Sequence, residues 1–259
     1  MCKRLVCLFL SLFLMFNFYG VVSAESQFSV TALYNRMKVE SSEYGQGVRV
    51  AVQHGENKYY YSMSNSTIYL PMQLGTGNYE VKLLKHIEGN RYRVLDKKYM
   101  YLSEEPVDAF LASAQPVDWE NNEKLVALKK EVIADKSTDE EKIIAVYEYI
   151  VKNMKYDRAK IKNLNDDYVP DLNSTIDSKK GICYDYSSLF ASMLRSEGIP
   201  CKLVKGYKND LKSYHAWNEV FIDGEWKIID TTYDSAFVNK RQKVSMFKDD
   251  SEYNKVREY

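Results

Sequence analysis

The residues that decide the fold run from Lys180 to Asp234. They read KGICYDYSSLFASMLRSEGIP (180–200), CKLVKGY (201–207) and YHAWNEVFIDGEWKIIDTTYD (214–234). The first segment predicts a helix that begins at Cys183, because the apolar residues after it recur at the spacing of one helix face. Gly198 and Pro200 end this helix. The Cys183 thiol is therefore expected at a helix N-terminus, where backbone N–H groups and the helix dipole favour a thiolate.

The last segment predicts a β-hairpin. Its strands, over 214–222 and 225–233, are rich in aromatic and β-branched residues, and Asp223-Gly224 is a two-residue turn signal. With a tight turn, His215 and Asp230 share one face of the hairpin as diagonal neighbours. A thiol, an imidazole that takes its proton and a carboxylate that orients the imidazole form a nucleophilic triad. The candidate catalytic residues are therefore Cys183, His215 and Asp230.

Several motifs accompany these three residues in a fixed order. GIC opens the helix, GY ends the next strand, HAWNEV lies on a strand and WKIIDTTYD on its hairpin partner. Together they resemble the transglutaminase-like superfamily of papain-type fold over about residues 121–259. The resemblance implies that Cys183 is the nucleophile, His215 the general base and acid, and Asp230 the orienting carboxylate. Animal transglutaminases differ in carrying GQCW at the nucleophile, and the upstream Trp of their oxyanion hole is not found in this chain.

Residues 1–24 have the pattern of a secretory signal peptide. A basic start (Lys3, Arg4) precedes a mostly apolar run to Phe18, and a small-residue cleavage site ends at Ala24. The alternative is a retained anchor helix, but the apolar run is short for the ~20 residues that span a bilayer. We expect a bacterial exported protein, secreted or associated with the cell envelope, that is not bound to a membrane after cleavage.

The charge balance limits the classes of partner. The 36 Lys and Arg residues equal the 36 Asp and Glu residues, and cleavage after residue 24 leaves 34 against 36, a net charge of about −2. A chain with this charge balance lacks the excess of basic residues that is typical of nucleic-acid-binding proteins. Cysteines and histidines are not clustered at ligand spacing, so neither a metal nor another cofactor is expected. The expected partner is a protein or cell-wall peptide substrate; the sequence leaves the oligomeric state open.

Residues 25–103 follow a different pattern from the triad region. Short segments alternate apolar or aromatic residues with polar ones, and turn-prone pieces rich in Gly and Asn separate them. About seven such strands predict a small immunoglobulin-like β-sandwich. Residues 104–120, with two prolines, are expected to be a linker, and 121–259 the transglutaminase-like domain. The predicted fold class is α+β: a papain-like core of helices on an antiparallel sheet, preceded by the sandwich.

The rest of the second domain is predicted in less detail. A helix is expected over about 121–134, and another begins at Ser137 or Thr138 with a capping-box pattern. The polar residues 155–179 are expected to form a loop beside the active-site cleft, and the charged C-terminal tail a helix or frayed end. Three aromatic residues are further candidates for contacts to the substrate or the oxyanion: Tyr168, Tyr184 and Trp217.

Cys183 and Cys201 remain after cleavage, and a disulfide is the first possibility in an exported protein. A helix over 183–197 is roughly 20 Å long, since each residue rises ~1.5 Å. Cys201 follows its far end, whereas a disulfide needs Cα atoms within about 7 Å. Cys201 is therefore predicted to be a small buried residue at the start of a strand.

Three functional hypotheses follow. The first is an exported cysteine-dependent acyl-transfer enzyme that acts on protein or peptide amides as a protease, deamidase or transglutaminase, through a thioester. The second is a surface binding or adhesion module that retains the fold without catalysis. The third is a maturation factor that presents a substrate to another enzyme. The complete triad favours the first.

Overall fold

The computed structural model describes residues 27–103, 108–238 and 242–259. The predicted signal peptide lies outside these ranges. Within them the chain has the predicted α+β class, with seven N-terminal strands in two sheets, followed by six α-helices and a further antiparallel sheet. None of the helices in the described ranges has the length and apolar character needed to span a bilayer.

The N-terminal strands form a β-sandwich. The strands are β1 (Phe28–Ala32), β2 (Arg36–Ser41), β3 (Val48–His54), β4 (Asn57–Ser62), β5 (Thr67–Pro71), β6 (Gly77–Glu88) and β7 (Arg91–Leu102). One sheet has the order β1-β2-β5 and the other β4-β3-β6-β7. Alternate residues such as Val48, Val50 and Val52 are buried between the sheets, as the period of two predicted.

The second half of the chain packs helices against a four-stranded sheet of order β12-β11-β10-β13. Its elements are α1 (Glu123–Ile133), α2 (Asp139–Asn153), β8 (Lys155–Tyr156), α3 (Arg158–Lys162), α4 (Leu172–Ser178), β9 (Lys180–Gly181), α5 (Cys183–Arg195), β10 (Cys201–Lys208), β11 (His215–Ile222), β12 (Glu225–Ile229), α6 (Thr231–Val238) and β13 (Tyr253–Glu258). Thr138 and Glu141 form the predicted capping box of α2. Helix α5 lies across β10 and β11, and nearly all its side chains are buried.

Three local predictions were wrong. Residues 155–179 contain β8, α3 and α4 instead of one loop, because the carboxylates of Asp157 and Asp171 cap two short helices. Strand β12 ends at Ile229. Asp230 accepts a bond from the N–H of Tyr233 and so caps α6, which begins at Thr231. The charged tail forms strand β13, whose pairing with β10 extends the sheet.

Residues 108–120 lie between the sandwich and the helices. Ala112, Ala114 and Val117 are buried there. The Gln115 side chain bonds the N–H and carbonyl groups of Ser62 at 2.8 and 3.1 Å. One continuous hydrophobic cluster includes residues of both halves. The sandwich therefore contributes surface close to the nucleophile helix.

Candidate active site

The turn that carries the nucleophile is fixed by strand pairing on one side and by a hydrogen bond from α5 on the other. Strand β9 pairs in parallel with β8, and Gly181 leads through Ile182 into Cys183, the first residue of α5. The Asp185 carboxylate accepts a bond from the N–H of Ile182 at 2.7 Å. A Cβ on Gly181 would lie 2.5 Å from the Asp185 Cβ, so this close turn requires glycine. The half-buried thiol of Cys183 is thereby fixed at the helix N-terminus.

Tyr168, a predicted contact for the oxyanion or substrate, acts on this turn. Its hydroxyl donates to the carboxylate of Asp185, and the Lys160 ammonium lies 2.8 Å from the other carboxylate oxygen. Burial and the neighbouring carboxylate raise the pKa of Tyr168, so the phenol stays a donor. Tyr168 thus supports the nucleophile turn through Asp185.

His215 and Asp230 meet in a buried pair. Nε2 of His215 lies 2.8 Å from Oδ2 of Asp230, and the exposed fractions of the two residues are 6% and 0%. The same carboxylate oxygen accepts a bond from the Tyr253 hydroxyl at 3.2 Å. Its other oxygen accepts the backbone N–H of Tyr233 at 3.0 Å. Three donors therefore fix the carboxylate and, through it, the plane of the imidazole.

The Cys183 side chain lies close enough to His215 to help raise the pKa of its imidazole. Burial opposes the charged imidazole, but the bond to Asp230 and the neighbouring Cys183 outweigh it and raise the pKa of His215 to about 10. Since Nε2 is occupied by Asp230, Nδ1 is the ring nitrogen left for the sulfur. The arrangement suits a thiolate beside an imidazolium, the pair that attacks carbonyl carbon in cysteine-dependent acyl transfer.

Trp217, another predicted contact residue, lies behind the imidazole. It is 1% exposed, and its ring stacks on His215 with centroids 6.4 Å apart. On its other side it meets the ring of Tyr253 at 5.0 Å. This aromatic layer keeps water from one side of His215.

Tyr184, the third of these candidates, lies beneath a lysine that sequence reasoning missed. The Lys205 ammonium is 3.2 Å from the centre of the Tyr184 ring and 5.5 Å from that of Tyr259. Burial, assisted by Arg257 and opposed by Cys183, lowers the pKa of Lys205 to about 7. The GY motif after this lysine carried no signal for it, because a Lys in a strand is ordinarily a solvent-facing residue.

Tyr156 is a second residue that the sequence did not single out. It pairs with Gly181 in the β8–β9 ladder, two residues before the nucleophile. Burial and the neighbouring Cys183 raise its pKa to about 12, so the phenol keeps its proton at neutral pH. The residue is 43% exposed, so part of it is open to a substrate.

Cys201 has the opposite environment from Cys183. Both are free thiols, and Cys201 is fully buried at the start of β10, as predicted. Burial raises its pKa to about 12, although Arg195 and Asn218 act in the other direction. The two cysteines therefore differ in access, since Cys201 is fully buried and Cys183 only partly so.

Two openings that share lining residues lie on the side of the site where Tyr168 supports the nucleophile turn. A groove of about 970 Å³ runs between β5, the 115–124 segment and the 165–173 segment. A smaller cavity of about 130 Å³ includes Tyr184 and Lys205. Both are lined by Gln115 and Tyr168. Neither Cys183 nor His215 lines either opening, but Tyr184, which lines the smaller one, follows Cys183 directly in α5.

Within the described ranges, no group of three or more His, Cys, Asp and Glu side chains is arranged to hold a metal ion. His54 and His86 bond backbone carbonyls in the sandwich instead.

Sequence comparison finds similarity in the second half of the chain. Residues 126–231 match the family model described as the transglutaminase-like superfamily, which confirms the resemblance noted from the motifs. Human kyphoscoliosis peptidase is 28% identical over 122 residues, or 43% of this chain and 18% of that protein. The mouse protein of the same name is 27% identical over 123 residues. The chain thus spans less than a fifth of the length of these curated relatives.

Comparison of the fold with solved structures also finds similar proteins. A proposed cysteine protease from Cytophaga hutchinsonii is 14% identical, with a TM-score of 0.47 over 90% of this chain and 79% of that one. LapG from Legionella pneumophila is 16% identical, with a TM-score of 0.41 over 52% of this chain and 74% of that one.

Proposed function

We propose that this chain, which carries a transglutaminase-like domain over residues 126–231, is a cysteine-dependent acyl-transfer enzyme acting on protein or peptide amides. The observation that carries the proposal is the placement of Cys183, at the N-terminus of α5, close to a His215 ring that bonds the buried Asp230. A nucleophile, a base within reach of it and a carboxylate that orients the base are the three parts this chemistry needs.

The first half-reaction forms a thioester. The Cys183 thiolate attacks the carbonyl carbon of the amide, a C–S bond forms and the carbonyl electron pair moves to oxygen. When the tetrahedral intermediate collapses, the C–N bond breaks and the His215 imidazolium gives its proton to the departing amine. Asp230 holds the ring in one orientation throughout.

The oxyanion needs donors on the side of the nucleophile turn. The first-turn N–H groups of α5 have no acceptor within the helix and point toward its N-terminal end. Tyr156 lies on the strand paired with Gly181 and keeps its phenolic proton. We propose it as the side-chain donor, in the role that the upstream Trp has in animal transglutaminases. Removing one such donor typically costs on the order of 10²–10³ in rate.

The second half-reaction decides the enzyme class. Water attacking the thioester gives a protease or deamidase, whereas a lysine amine gives a cross-linker; His215 takes the proton of either nucleophile. Incubation with a peptide-bound glutamine, with and without a fluorescent primary amine, separates them. Ammonia release without incorporated amine indicates deamidation, and incorporation indicates transglutamination. Cleavage of a protein substrate indicates proteolysis.

Thiol labelling tests the proposal without a known substrate. At pH 6, iodoacetamide should alkylate Cys183 much faster than Cys201, because only Cys183 lies beside an imidazolium. Peptide mapping by mass spectrometry assigns the label, and Cys201→Ala is the matched control. Equal, slow labelling of both thiols would contradict the proposal and favour the non-catalytic binding module.

We also propose that the protein works outside the cytoplasm, on the strength of residues 1–24. Mass spectrometry of the protein recovered from the cells that make it should give an N-terminus at Glu25. An N-terminus that retains the apolar run would indicate an anchored protein instead.

A further inference from the structure

Lys205 is a lysine whose surroundings contain no counter-ion. Among the described residues, no carboxylate oxygen lies within 4.0 Å of its ammonium. Its neighbours are aromatic rings, with Tyr184 at 3.2 Å and Tyr259 at 5.5 Å from ring centre to nitrogen. Tyr61 packs against Tyr259 on the sandwich side, with centroids 6.1 Å apart. Aromatic rings do not provide oxygen acceptors for the three N–H donors of the ammonium. Water or a ligand must therefore accept hydrogen bonds from it.

The charge around this lysine is positive. Arg257 occupies the register position opposite Lys205 on β13, and its guanidinium bonds the carbonyl of Lys58 rather than a carboxylate. Asp167, which lines the same cavity, is already paired with Arg49. The other acid on the lining, Asp166, is exposed at the rim. Among the described residues, the cavity therefore presents the Lys205 ammonium without a carboxylate partner, and Arg257 adds positive charge nearby.

The size of the cavity limits what can enter. Its volume is about 130 Å³, roughly that of four waters in the liquid. This is room for a carboxylate on a short aliphatic stem. The lining phenols of Tyr61, Tyr184 and Tyr259 all have raised pKa values, chiefly because of burial, and so remain neutral beside such an anion.

The cavity also lies next to the proposed nucleophile. Tyr184, which forms its wall, follows Cys183 directly in α5. The sulfur of Cys183 is close enough to raise the pKa of Lys205, against the larger effect of burial. A group held at Lys205 is therefore a near neighbour of any carbonyl carbon that the sulfur attacks.

We infer that the cavity at Lys205 is a subsite for a carboxylate that the substrate carries close to the reacting amide. An acidic side chain or a terminal carboxylate of a peptide has this chemistry. The ammonium forms the ion pair, Arg257 adds to the potential, and the sandwich residue Tyr61 closes the cavity. This inference rests on the proposed function, since it names the substrate class of the same site.

A pair of alkylating reagents tests it. Iodoacetate and iodoacetamide transfer nearly the same group to a thiolate with loss of iodide, but only iodoacetate carries a carboxylate. The ratio of their rates at Cys183, measured at pH 6 by peptide mapping, reports anion recognition beside the sulfur. In Lys205→Met we expect this ratio to fall on the order of fivefold; dividing by the iodoacetamide rate cancels any general change in the reactivity of the sulfur.

Two further variants make the test specific. Lys205→Arg keeps the positive charge and should keep most of the ratio. Lys212→Met removes the charge of an exposed lysine in the turn after β10 and should leave the ratio unchanged. Circular dichroism establishes that each variant is folded. If Lys205→Met misfolds, N-acetylglutamate should still protect wild-type Cys183 from iodoacetamide at lower concentrations than N-acetylglutamine does.

The results separate the two proposals. An unchanged ratio in folded Lys205→Met, or equal protection by the two N-acetyl amino acids, overturns the carboxylate subsite. Slow alkylation of Cys183 by both reagents contradicts the enzyme proposal instead, and the ratio still reports on the subsite. A fall of similar size in Lys212→Met would assign the effect to the general field of the protein and also overturn the subsite.

Discussion

The hydroxyl of Tyr253 donates to the carboxylate oxygen of Asp230 that is bonded to His215. The C-terminal strand β13 thus supplies part of the site, although it lies far along the chain from Cys183. In Tyr253→Phe the carboxylate keeps its bonds to His215 and to the N–H of Tyr233. We therefore expect turnover to fall only about 3- to 10-fold, the effect of one hydrogen bond. Tyr207→Phe, which changes an exposed tyrosine of β10, is the control and should leave kcat unchanged.

Asp230→Asn should have a much larger effect. An amide in place of the carboxylate cannot stabilise an imidazolium and favours the wrong tautomer of His215, so kcat should fall about 10²–10⁴-fold. Asparagine is also a good N-cap, so α6 should survive and the Tm should change little. Asp230→Ala would remove the cap as well and is less informative. Turnover within threefold of wild type in Asp230→Asn would remove Asp230 from the mechanism.

Tyr156→Phe separates oxyanion stabilisation from thiol activation. Acyl transfer places negative charge on an oxygen, whereas alkylation by iodoacetamide does not. Turnover should therefore fall on the order of 10²-fold with an unchanged rate of iodoacetamide labelling at Cys183. If both rates fall together, Tyr156 acts on the thiolate, and the assignment as an oxyanion donor is wrong.

The strongest local patterns predicted the fold class and the contact between His215 and Asp230. The helix that starts at Cys183, the hairpin with Ile222 opposite Glu225 and the capping box at Thr138 all follow from short-range rules. Each depends on residues within a few positions of one another, where periodicity and turn chemistry are decisive. The pairing of His215 with Asp230 follows even though Asp230 lies one residue beyond the end of β12.

What the sequence did not predict depends on long-range packing. Lys205 is unusual only because Tyr184 and Tyr259 enclose it, and these rings come from a helix and from the end of the chain. Tyr253 was not identified because the tail was expected to be a helix or a frayed end. The tail does alternate in the way a strand does, at Tyr253, Lys255, Arg257 and Tyr259, but its many charged residues favoured the other interpretation. At Gly206 an added Cβ would lie 2.1 Å from the carbonyl oxygen of Asn254, a contact created by β10–β13 pairing alone.

Arg195 should prove important for stability, although it is not part of the site. Its buried guanidinium donates to the carbonyls of Cys201, Ala112 and Tyr259 at 2.7, 2.9 and 2.7 Å. It therefore ties α5 to β10, to the 108–120 segment and to the C-terminal end. Arg195→Met removes the donor to three buried carbonyls, of which that of Tyr259 keeps a bond from the N–H of Leu203, and should lower the free energy of unfolding by about 3 kcal/mol. Urea denaturation measures this, and Arg93→Met, at an exposed arginine of β7, should cost under about 0.5 kcal/mol.

Lys205 and His215 should influence the pH dependence of stability in opposite directions. The pKa of Lys205 is lowered to about 7, chiefly by burial, against about 10.4 when unfolded. Its unfavourable burial is therefore fully present below pH 7 and is relieved as the pH rises toward 10. The pKa of His215 is raised to about 10, against about 6.5 unfolded. Its stabilisation is fully present below pH 6.5 and is lost as the pH rises through 10.

Lys205→Met should therefore be more stable than wild type at pH 6, by on the order of 2–4 °C in Tm, and this advantage should shrink by pH 10. The titratable groups nearest Lys205 include Cys183, Arg257 and the phenols of Tyr61, Tyr184 and Tyr259, and its cavity is also lined by Arg49, Asp166, Asp167 and Tyr168. Burial raises the pKa values of the phenols, and Arg257 keeps its charge. Thermal melts of both proteins in a Cys183→Ala background remove the titration of the thiol. An advantage that stays constant from pH 6 to pH 10 would mean that Lys205 is charged throughout this range, because the burial penalty would then not be relieved.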